Sequence, residues 1–400
     1  MRVLLLGFYY PPDISAGAFR AEALVEALAC RLPAHGELHV LTTRPSRYVA
    51  EGTSPPAVET LFSGKVRVVR LPVSGGGRGM ASQARAFASY ALQVRRLVKQ
   101  ERYDLVIATS SRLMTAVLGA WVARRKKARL YQDIRDNFVE NLPFVLPGGT
   151  GRLVAPLFGM LERWALGRAD RINLVSRGFE PYFRPRYPRQ RFAWHTNGID
   201  PPFVEAAESG FFDQKIHADE SQPLRVLYAG NLGAGQGMEL ILPNLAERLS
   251  TRVAFTVIGA GAGREALCRA LSERGIENVQ VRDPVPREAL LEAYYAADVL
   301  FLHLNTLPSL ESVLPSKLFE YATTGRPIWA GLAGFPADFV KEEIENAAVF
   351  APGDVEAAVA ALDRLELHCR PRPAFVTKWR RDKIMANMAD QALALVTNEA

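Results

Sequence analysis

Short, nearly continuous apolar runs alternate along this chain with longer segments whose apolar residues recur at helical spacing. In the first half, residues 2–6, 38–42, 66–71, 105–108, 128–131 and 171–175 read as strands buried on both faces. Helical segments at 17–31, 81–100 and 152–167 separate some of them. The pattern breaks at the Pro- and Arg-rich stretch 181–191, at 196–202 and along the polar run 205–222. It resumes with strands at 224–229, 253–258, 279–281, 299–302, 327–330 and 348–350, and helices at 238–249 and 264–274. Helices at 355–365 and 374–395 close the chain. Strand–helix alternation at this period predicts βαβ units built on parallel sheets. The expected α/β organisation is two doubly wound, Rossmann-like domains in tandem, residues 1–200 and 223–373, facing across a cleft. A linker at 201–222 joins them, and 374–400 forms a terminal helical segment.

The strand at 299–302 leads into Leu314-Pro315-Ser316-Lys317-Leu318-Phe319-Glu320-Tyr321-Ala322. Pro315 suits the first turn of a helix, where its missing N–H is no loss. Leu318, Phe319, Tyr321 and Ala322 give that helix an apolar face, and Gly325 and Pro327 stop it. Strand, loop and helix N-terminus together form the place where open α/β sheets hold anions. Lys317 puts a cation in the first turn, where the helix dipole disfavours it, so a bound phosphate accounts for it better than stability does. Glu320, one turn on, reaches the same ligand.

Two glycine-rich strand ends lie in the same half. Gly230-Asn231-Leu232-Gly233-Ala234-Gly235-Gln236-Gly237 lets backbone approach a diphosphate closely, with a simple glycine-rich turn as the rival reading. Gly259-Ala260-Gly261-Ala262-Gly263 brings its third glycine one residue early for a dinucleotide fingerprint and reads as a tight turn near a nucleotide. The first strand runs into Gly7 and reaches Gly17 without G-x-G-x-x-G, which counts against a nicotinamide-dependent dehydrogenase. Gln132, Asp133, Arg135 and Asp136 follow the strand at 128–131, where ligand-facing residues belong in this fold class; a surface ion-pair cluster is the alternative.

Composition narrows the class further. At 400 residues, 48% hydrophobic and 23% charged, the chain fits a globular protein of two domains. Cys30, Cys268 and Cys369 show no paired spacing, which suits a reducing cytosol. The apolar start is cut short by Tyr9-Tyr10-Pro11-Pro12-Asp13, too early for a signal peptide, and the longest apolar candidate, residues 113–123, reads as a core helix. The six histidines do not cluster; His195 and His303 lie near strand ends outside any metal-ligand pattern, so no metal is expected. His303 either faces the cleft or is a satisfied, partly buried residue. The net charge of +7 points to an anionic partner. Arg85, Arg95, Arg96 and Lys99, interleaved with Phe87, Tyr90 and Leu97, make the segment 81–100 a basic amphipathic helix that can lie on an anionic inner membrane or simply form an outer face.

Taken together, Tyr9-Tyr10-Pro11-Pro12-Asp13, Arg168-Ala169-Asp170-Arg171-Ile172, Asn197-Gly198-Ile199-Asp200, Tyr228-Ala229-Gly230-Asn231, Ala296-Ala297-Asp298-Val299 and Pro315-Ser316-Lys317-Leu318-Phe319-Glu320-Tyr321 resemble the family 4 glycosyltransferases of bacteria. The similarity is strongest to the N-acetyl-fucosaminyl and colanic-acid transferases of surface polysaccharide synthesis, and it covers nearly the whole chain. It implies the GT-B fold, with a nucleotide diphosphate sugar on the second domain and the acceptor on the first. It also implies retention of anomeric configuration, no bound cofactor or metal, and a final helix returning to the first domain through Trp379, Ile384 and Met388.

What the resemblance implies for the site is specific. Gly230, Asn231, Gln236, Gly259, Arg282, Ser312, Pro315, Ser316, Lys317 and Glu320 would hold the donor, with Glu320 toward the ribose and the backbone near Val281 and Arg282 toward the base. Gly17 and Arg20 would belong to an acceptor loop, and Asp133, Arg135 and Asp136 to the reacting centre. Three family features differ here. Ser312 stands where a first glutamate is usual, with Glu311 beside it, and the loop from Asn231 to Gln236 lacks the usual Arg and Lys. A histidine common near the acceptor strand appears as Gln132. The expectation is a cytosolic, metal-independent hexosyl- or N-acetylhexosaminyl-transferase, peripheral on the inner membrane, serving a glycan or polyprenyl-linked acceptor, with no nucleic-acid partner. A nucleotide-sugar epimerase and a binding scaffold without turnover are the rivals.

Overall fold

Fourteen strands form two sheets in the computed structural model, which describes residues 1–45, 55–74, 80–110, 112–145, 149–212 and 222–397. The chain divides into one unit of Met1–Asn197 with Arg381–Ala400, and a second of Gly198–Arg380. The first unit holds β1 (Arg2–Gly7), β2 (Glu37–Thr43), β3 (Val58–Leu61), β4 (Val66–Leu71), β5 (Leu105–Ser110), β6 (Arg129–Ile134), β7 (Arg171–Leu174) and β8 (Phe192–Ala193). They lie in the order β3-β4-β2-β1-β5-β6-β7-β8, parallel except for the antiparallel edge strand β3. The second unit holds β9 (Leu224–Ala229), β10 (Val253–Ile258), β11 (Val279–Arg282), β12 (Val299–His303), β13 (Ile328–Gly331) and β14 (Ala347–Phe350). Their order is β11-β10-β9-β12-β13-β14.

In each sheet the order reverses beside the unit's first strand, between β1 and β5 and between β9 and β12. Such reversals open a crevice at the strands' C-terminal ends, because the following loops lead away in opposite directions. The central strands are β-branched and leucine-rich runs with no exposed face: β5 and β12 are buried throughout. Helices cover both sides, so each unit has a layered α/β core.

Several elements differ from expectation. β6 runs on to Ile134, so Gln132 and Asp133 lie inside a buried strand and not beyond its end. Their polarity hid the strand, and each has a buried hydrogen-bond partner that compensates it. The stretch read as a linker contains the helix Pro201–Glu208, whose Phe203 and Val204 are buried in the second unit's core. Residues 213–221 of that linker, and 398–400 of the terminal segment, lie outside the described residues. The single helix expected at 374–395 is two, Pro373–Trp379 and Arg381–Thr397. Between them Arg380 forms an isolated parallel bridge with Ile199. Trp379 therefore does not join the returning helix; it packs on Phe319, Phe339 and Phe375 in the second unit. Met388 and Ile384 do return, against the helix Ala16–Arg31 in the first unit.

Candidate active site

The second unit's candidate site is built from the two loops that diverge at its sheet's reversal. After β9 the chain is drawn against the loop after β10: Gly230 N–H donates to Ile258 O at 2.9 Å and Leu232 N–H to Ala260 O at 2.9 Å. A Cβ on Gly259 would lie 1.9 Å from the Gly230 carbonyl oxygen, so only glycine fits there. The Gly259–Gly263 sequence is thus explained first by two backbones packed together. Gln236 Oε1 accepts from Asn231 Nδ2 at 2.8 Å and from Gly233 N–H at 3.2 Å. Asn231 and Gln236, standing where cations are usual, close their loop on itself.

The loop is also tied to the end of β12. Asn305 N–H donates to Gly235 O and its Nδ2 to Ala234 O, both at 2.9 Å. His303 Nδ1 lies 2.6 Å from Gln236 O, and its Nε2 accepts from Gly353 N–H at 3.0 Å. Only the neutral ring with its proton on Nδ1 satisfies both bonds. Burial lowers the His303 pKa, against the opposing pull of the Gln236 carbonyl. His303 is therefore the satisfied, buried histidine of the two alternatives.

Helix Ser316–Thr323 starts at this place, with Pro315 as its N-cap residue and Ser316 as its first helical residue. Its Leu318, Phe319, Tyr321 and Ala322 are fully buried, and Tyr321 Oη accepts from Ala229 N–H at 3.0 Å, anchoring the helix to the end of β9. On the open side, Lys317 Nζ donates to Glu320 Oε2 at 2.8 Å and to Tyr294 Oη at 3.2 Å. Tyr294 Oη donates to the same Oε2 at 2.8 Å. Lys317 has three donors, so this arrangement leaves one, and it leaves Glu320 Oε1 open as well. The Lys317 side chain passes Gly230, with Cε 3.6 Å from where a Cβ would stand. The structure therefore brings Gly230, Gly259, Lys317 and Glu320 together.

Other expected donor residues stand further out in role. Arg282 is exposed and donates to Gln280 Oε1 at 2.6 Å, while its carbonyl takes the Gly259 N–H at 3.1 Å. Ser312 Oγ donates to Ser309 O at 3.2 Å. Glu311 is exposed and lines a shallow pocket with Asn305, Leu310 and Pro352. Tyr294, from helix Arg287–Ala296, was missed by sequence reasoning. Nothing near it marks it out, because its partners lie 23 and 26 positions away.

In the first unit the expected residues separate into two sets. Arg20 and Asp133 are sealed, both without surface. Arg20 Nε and Nη2 bind the two Asp133 oxygens at 2.9 and 2.8 Å, and the remaining donors reach Thr196 O and His195 O. Asp133 also accepts from Thr109 Oγ1 at 3.0 Å and Asn173 Nδ2 at 2.8 Å. Burial pushes its carboxyl up, but the charge and hydrogen bonds of Arg20, then Arg135 and Asn173, more than offset this and hold its pKa below the ordinary value. The pair joins helix Ala16–Arg31 to β6, β7 and the 195–196 segment. Arg20, expected in an acceptor loop, and Asp133, expected at the reacting centre, thus lie in a buried internal brace.

Arg135, two residues on, is different. Its guanidinium lies over Gly17 in the first turn of helix Ala16–Arg31, where a Cβ would fall 2.3 Å from Nη1. Its Nε has no hydrogen-bond partner. Burial, opposed by the Asp133 charge, lowers its pKa to about 10, so it remains a cation at neutral pH. Asp136 beside it is exposed and accepts from Asn141 Nδ2 at 2.9 Å. A cation at a helix N-terminus concentrates positive potential at one spot. Gly17, Arg135 and Asp136 are together; Arg20 and Asp133 lie behind them.

Residues 20–198 match the profile of a glycosyl transferase 4-like domain, and residues 223–367 that of glycosyl transferases group 1. WcaI of Escherichia coli (strain K12), assigned as a colanic acid biosynthesis glycosyl transferase, is 25% identical over 350 residues, 81% of this chain and 82% of its own length. Among solved structures, the Anabaena protein HepE in complex with UDP-glucose superposes with a TM-score of 0.63 at 15% identity, covering 99% of this chain and 100% of its own. WaaG, a glycosyltransferase involved in lipopolysaccharide biosynthesis, superposes with a TM-score of 0.59 at 18% identity, covering 99% and 98%. With two such profiles in sequence over two parallel α/β sheets, the chain belongs to the family 4 glycosyltransferases and has the GT-B fold.

Proposed function

We propose that the protein moves a hexosyl or N-acetylhexosaminyl group from a nucleotide diphosphate sugar to a glycan or polyprenyl-linked acceptor in surface polysaccharide synthesis. It does so with retention and without a metal, at the cytoplasmic face of the inner membrane. The observation that carries this reading is the half-open Lys317–Glu320–Tyr294 cluster at the reversal of the second sheet. Lys317 has one donor left for a diphosphate oxygen beside the N-terminus of its helix, and Glu320 Oε1 has room for a ribose hydroxyl. The relatives fit: WcaI is assigned to colanic acid synthesis, and HepE was crystallised with UDP-glucose.

The chemistry follows from charge. Breaking the bond between the sugar's anomeric carbon and the phosphate oxygen leaves negative charge on the diphosphate, and Lys317 and the helix dipole stabilise it as it forms. The acceptor oxygen bonds to the same face of the anomeric carbon and passes its proton to the departing phosphate. No protein nucleophile is needed. Arg135, Gly17 and Asp136 orient the acceptor in the first unit, and Asp133 acts only through Arg20 and Arg135.

A thermal-shift screen of UDP-, GDP-, ADP- and dTDP-sugars identifies the donor. With that donor, Lys317→Ala is expected to lower kcat by roughly a hundredfold, the scale of one lost oxyanion donor, with an unchanged melting temperature. Wild-type turnover in that variant removes the diphosphate role. Conversion of donor alone to a free epimer would replace transfer with epimerisation.

A further inference from the structure

We propose that helix Thr150–Leu166 is the surface by which this protein lies on an anionic membrane. The inference deepens the reading of a membrane-borne acceptor and rests on it. Leu153, Leu157 and Met160 on this helix are 81%, 58% and 63% exposed, three of the four most exposed large apolar side chains among the described residues. With Trp164 they recur at i, i+4, i+7 and i+11, so on a regular helix they fall within an arc of about 60°. They form a single stripe, continuous along the helix.

Charge decides the partner. The helix carries one acid, Glu162, and it is turned inward, accepting from Tyr187 Oη at 2.7 Å and Tyr182 Oη at 3.3 Å. Its cations, Arg152 and Arg163, are exposed beside the stripe. Arg168, just past its end, lies 4.5 Å over the Trp164 ring. An apolar stripe with an arginine rim and its acid hidden matches the headgroup region of an anionic bilayer. A second copy of the chain fits poorly, since pairing two such helices sets arginine against arginine. A strip about 25 Å long and 10 Å wide also falls well short of the ~800 Å² per partner of a stable interface. No helix among the described residues is long and apolar enough to cross a membrane, so contact would be peripheral.

The basic helix singled out from sequence compares unfavourably. Helix Met80–Leu97 turns Phe87, Tyr90 and Val94 into the core, and its exposed Leu92 and Leu97 stand about 140° apart. They make no stripe.

The test is flotation of the full chain with vesicles of equal parts phosphatidylglycerol and phosphatidylcholine, beside vesicles of phosphatidylcholine alone. Wild type is expected to bind the anionic vesicles, and Leu157→Glu/Met160→Glu to bind them roughly tenfold more weakly or less. Arg152→Glu/Arg163→Glu is expected to lose a similar factor, and Arg95→Glu/Arg96→Glu to stay within about twofold. Circular dichroism melts confirm that each variant folds. Unchanged flotation of the Leu157/Met160 variant overturns the proposal, as does loss confined to the Arg95/Arg96 variant. A wild-type dimer by light scattering that Leu157→Glu/Met160→Glu dissociates overturns it in favour of self-association. Donor affinity, read separately by calorimetry, reports on the transferase reading, so either can fail without the other.

Discussion

Each unit holds a cation–carboxylate pair at the ligand-binding end of its sheet, and the two pairs are built to opposite ends. Arg20–Asp133 is closed: its bonds are all internal and neither side chain meets solvent. Lys317–Glu320 is half open, with side chains 27% and 13% exposed, and both partners keep one group uncommitted. Residue type does not separate them. What does is access: the first pair is sealed among internal partners, while the second keeps side-chain surface on its open side.

The sharpest way to break that comparison is to remove one member of each pair. Asp133→Ala strands a buried guanidinium and is expected to destabilise the first unit by about 3–5 kcal/mol. Arg20→Met/Asp133→Leu together should recover much of that loss, since well-packed apolar replacements of buried pairs are often tolerated. Urea unfolding measures both. Lys317→Ala, by contrast, should change stability by no more than about 1 kcal/mol while lowering kcat. An Asp133→Ala protein of native stability and no turnover would move Asp133 back into the chemistry.

Glu320 gives a smaller effect of the same kind. Glu320→Ala is expected to weaken nucleotide-sugar binding by about 1.5–3 kcal/mol, the worth of a hydrogen bond to a charged group, with the melting temperature little changed. Calorimetry with the identified donor checks it. Equal affinity in wild type and variant would make Glu320 a partner for Lys317 and Tyr294 and nothing more.

Much of this was legible in the chain. Buried strands announce themselves as apolar runs, and a lysine in the first turn of a helix after such a run pointed to the place where Lys317, Glu320 and Tyr294 meet. Burial state was not legible. Asp133 and Arg135 sit two residues apart, one inside a strand and one at its end, and only the pairing of β6 with β5 and β7 decides which is sealed. Arg20 meets Asp133 across 113 positions, and Tyr294 meets Glu320 across 26. Neither spacing has a local pattern. The exposed stripe on helix Thr150–Leu166 was hidden for the opposite reason, since an apolar helical face ordinarily signals core.

His303 supplies the finest discrimination, because it gives the half-open site a sealed support of its own. It clamps the Gln236 carbonyl to the Gly353 amide in the neutral state, and its pKa lies below the ordinary value of about 6.5. Between those two pKa values the unfolded chain binds more protons than the folded one. The stability His303 contributes is therefore present above about pH 6.5 and falls away as pH drops toward its folded pKa. Protonation would turn Nε2 from acceptor to donor against the Gly353 N–H and cut the tie between Gly353 and the loop that carries Asn231 and Gln236, while the Nδ1 bond to the Gln236 carbonyl remains. Donor affinity should accordingly decline by less than about tenfold below pH 6.5, while the diphosphate diester of the donor does not itself titrate there. In His303→Gln, whose amide can donate at one end and accept at the other, that decline should vanish. Calorimetry from mildly acidic to neutral pH reads both proteins. A decline that survives the substitution would place the titrating group elsewhere and leave the half-open site without a protonation-sensitive support.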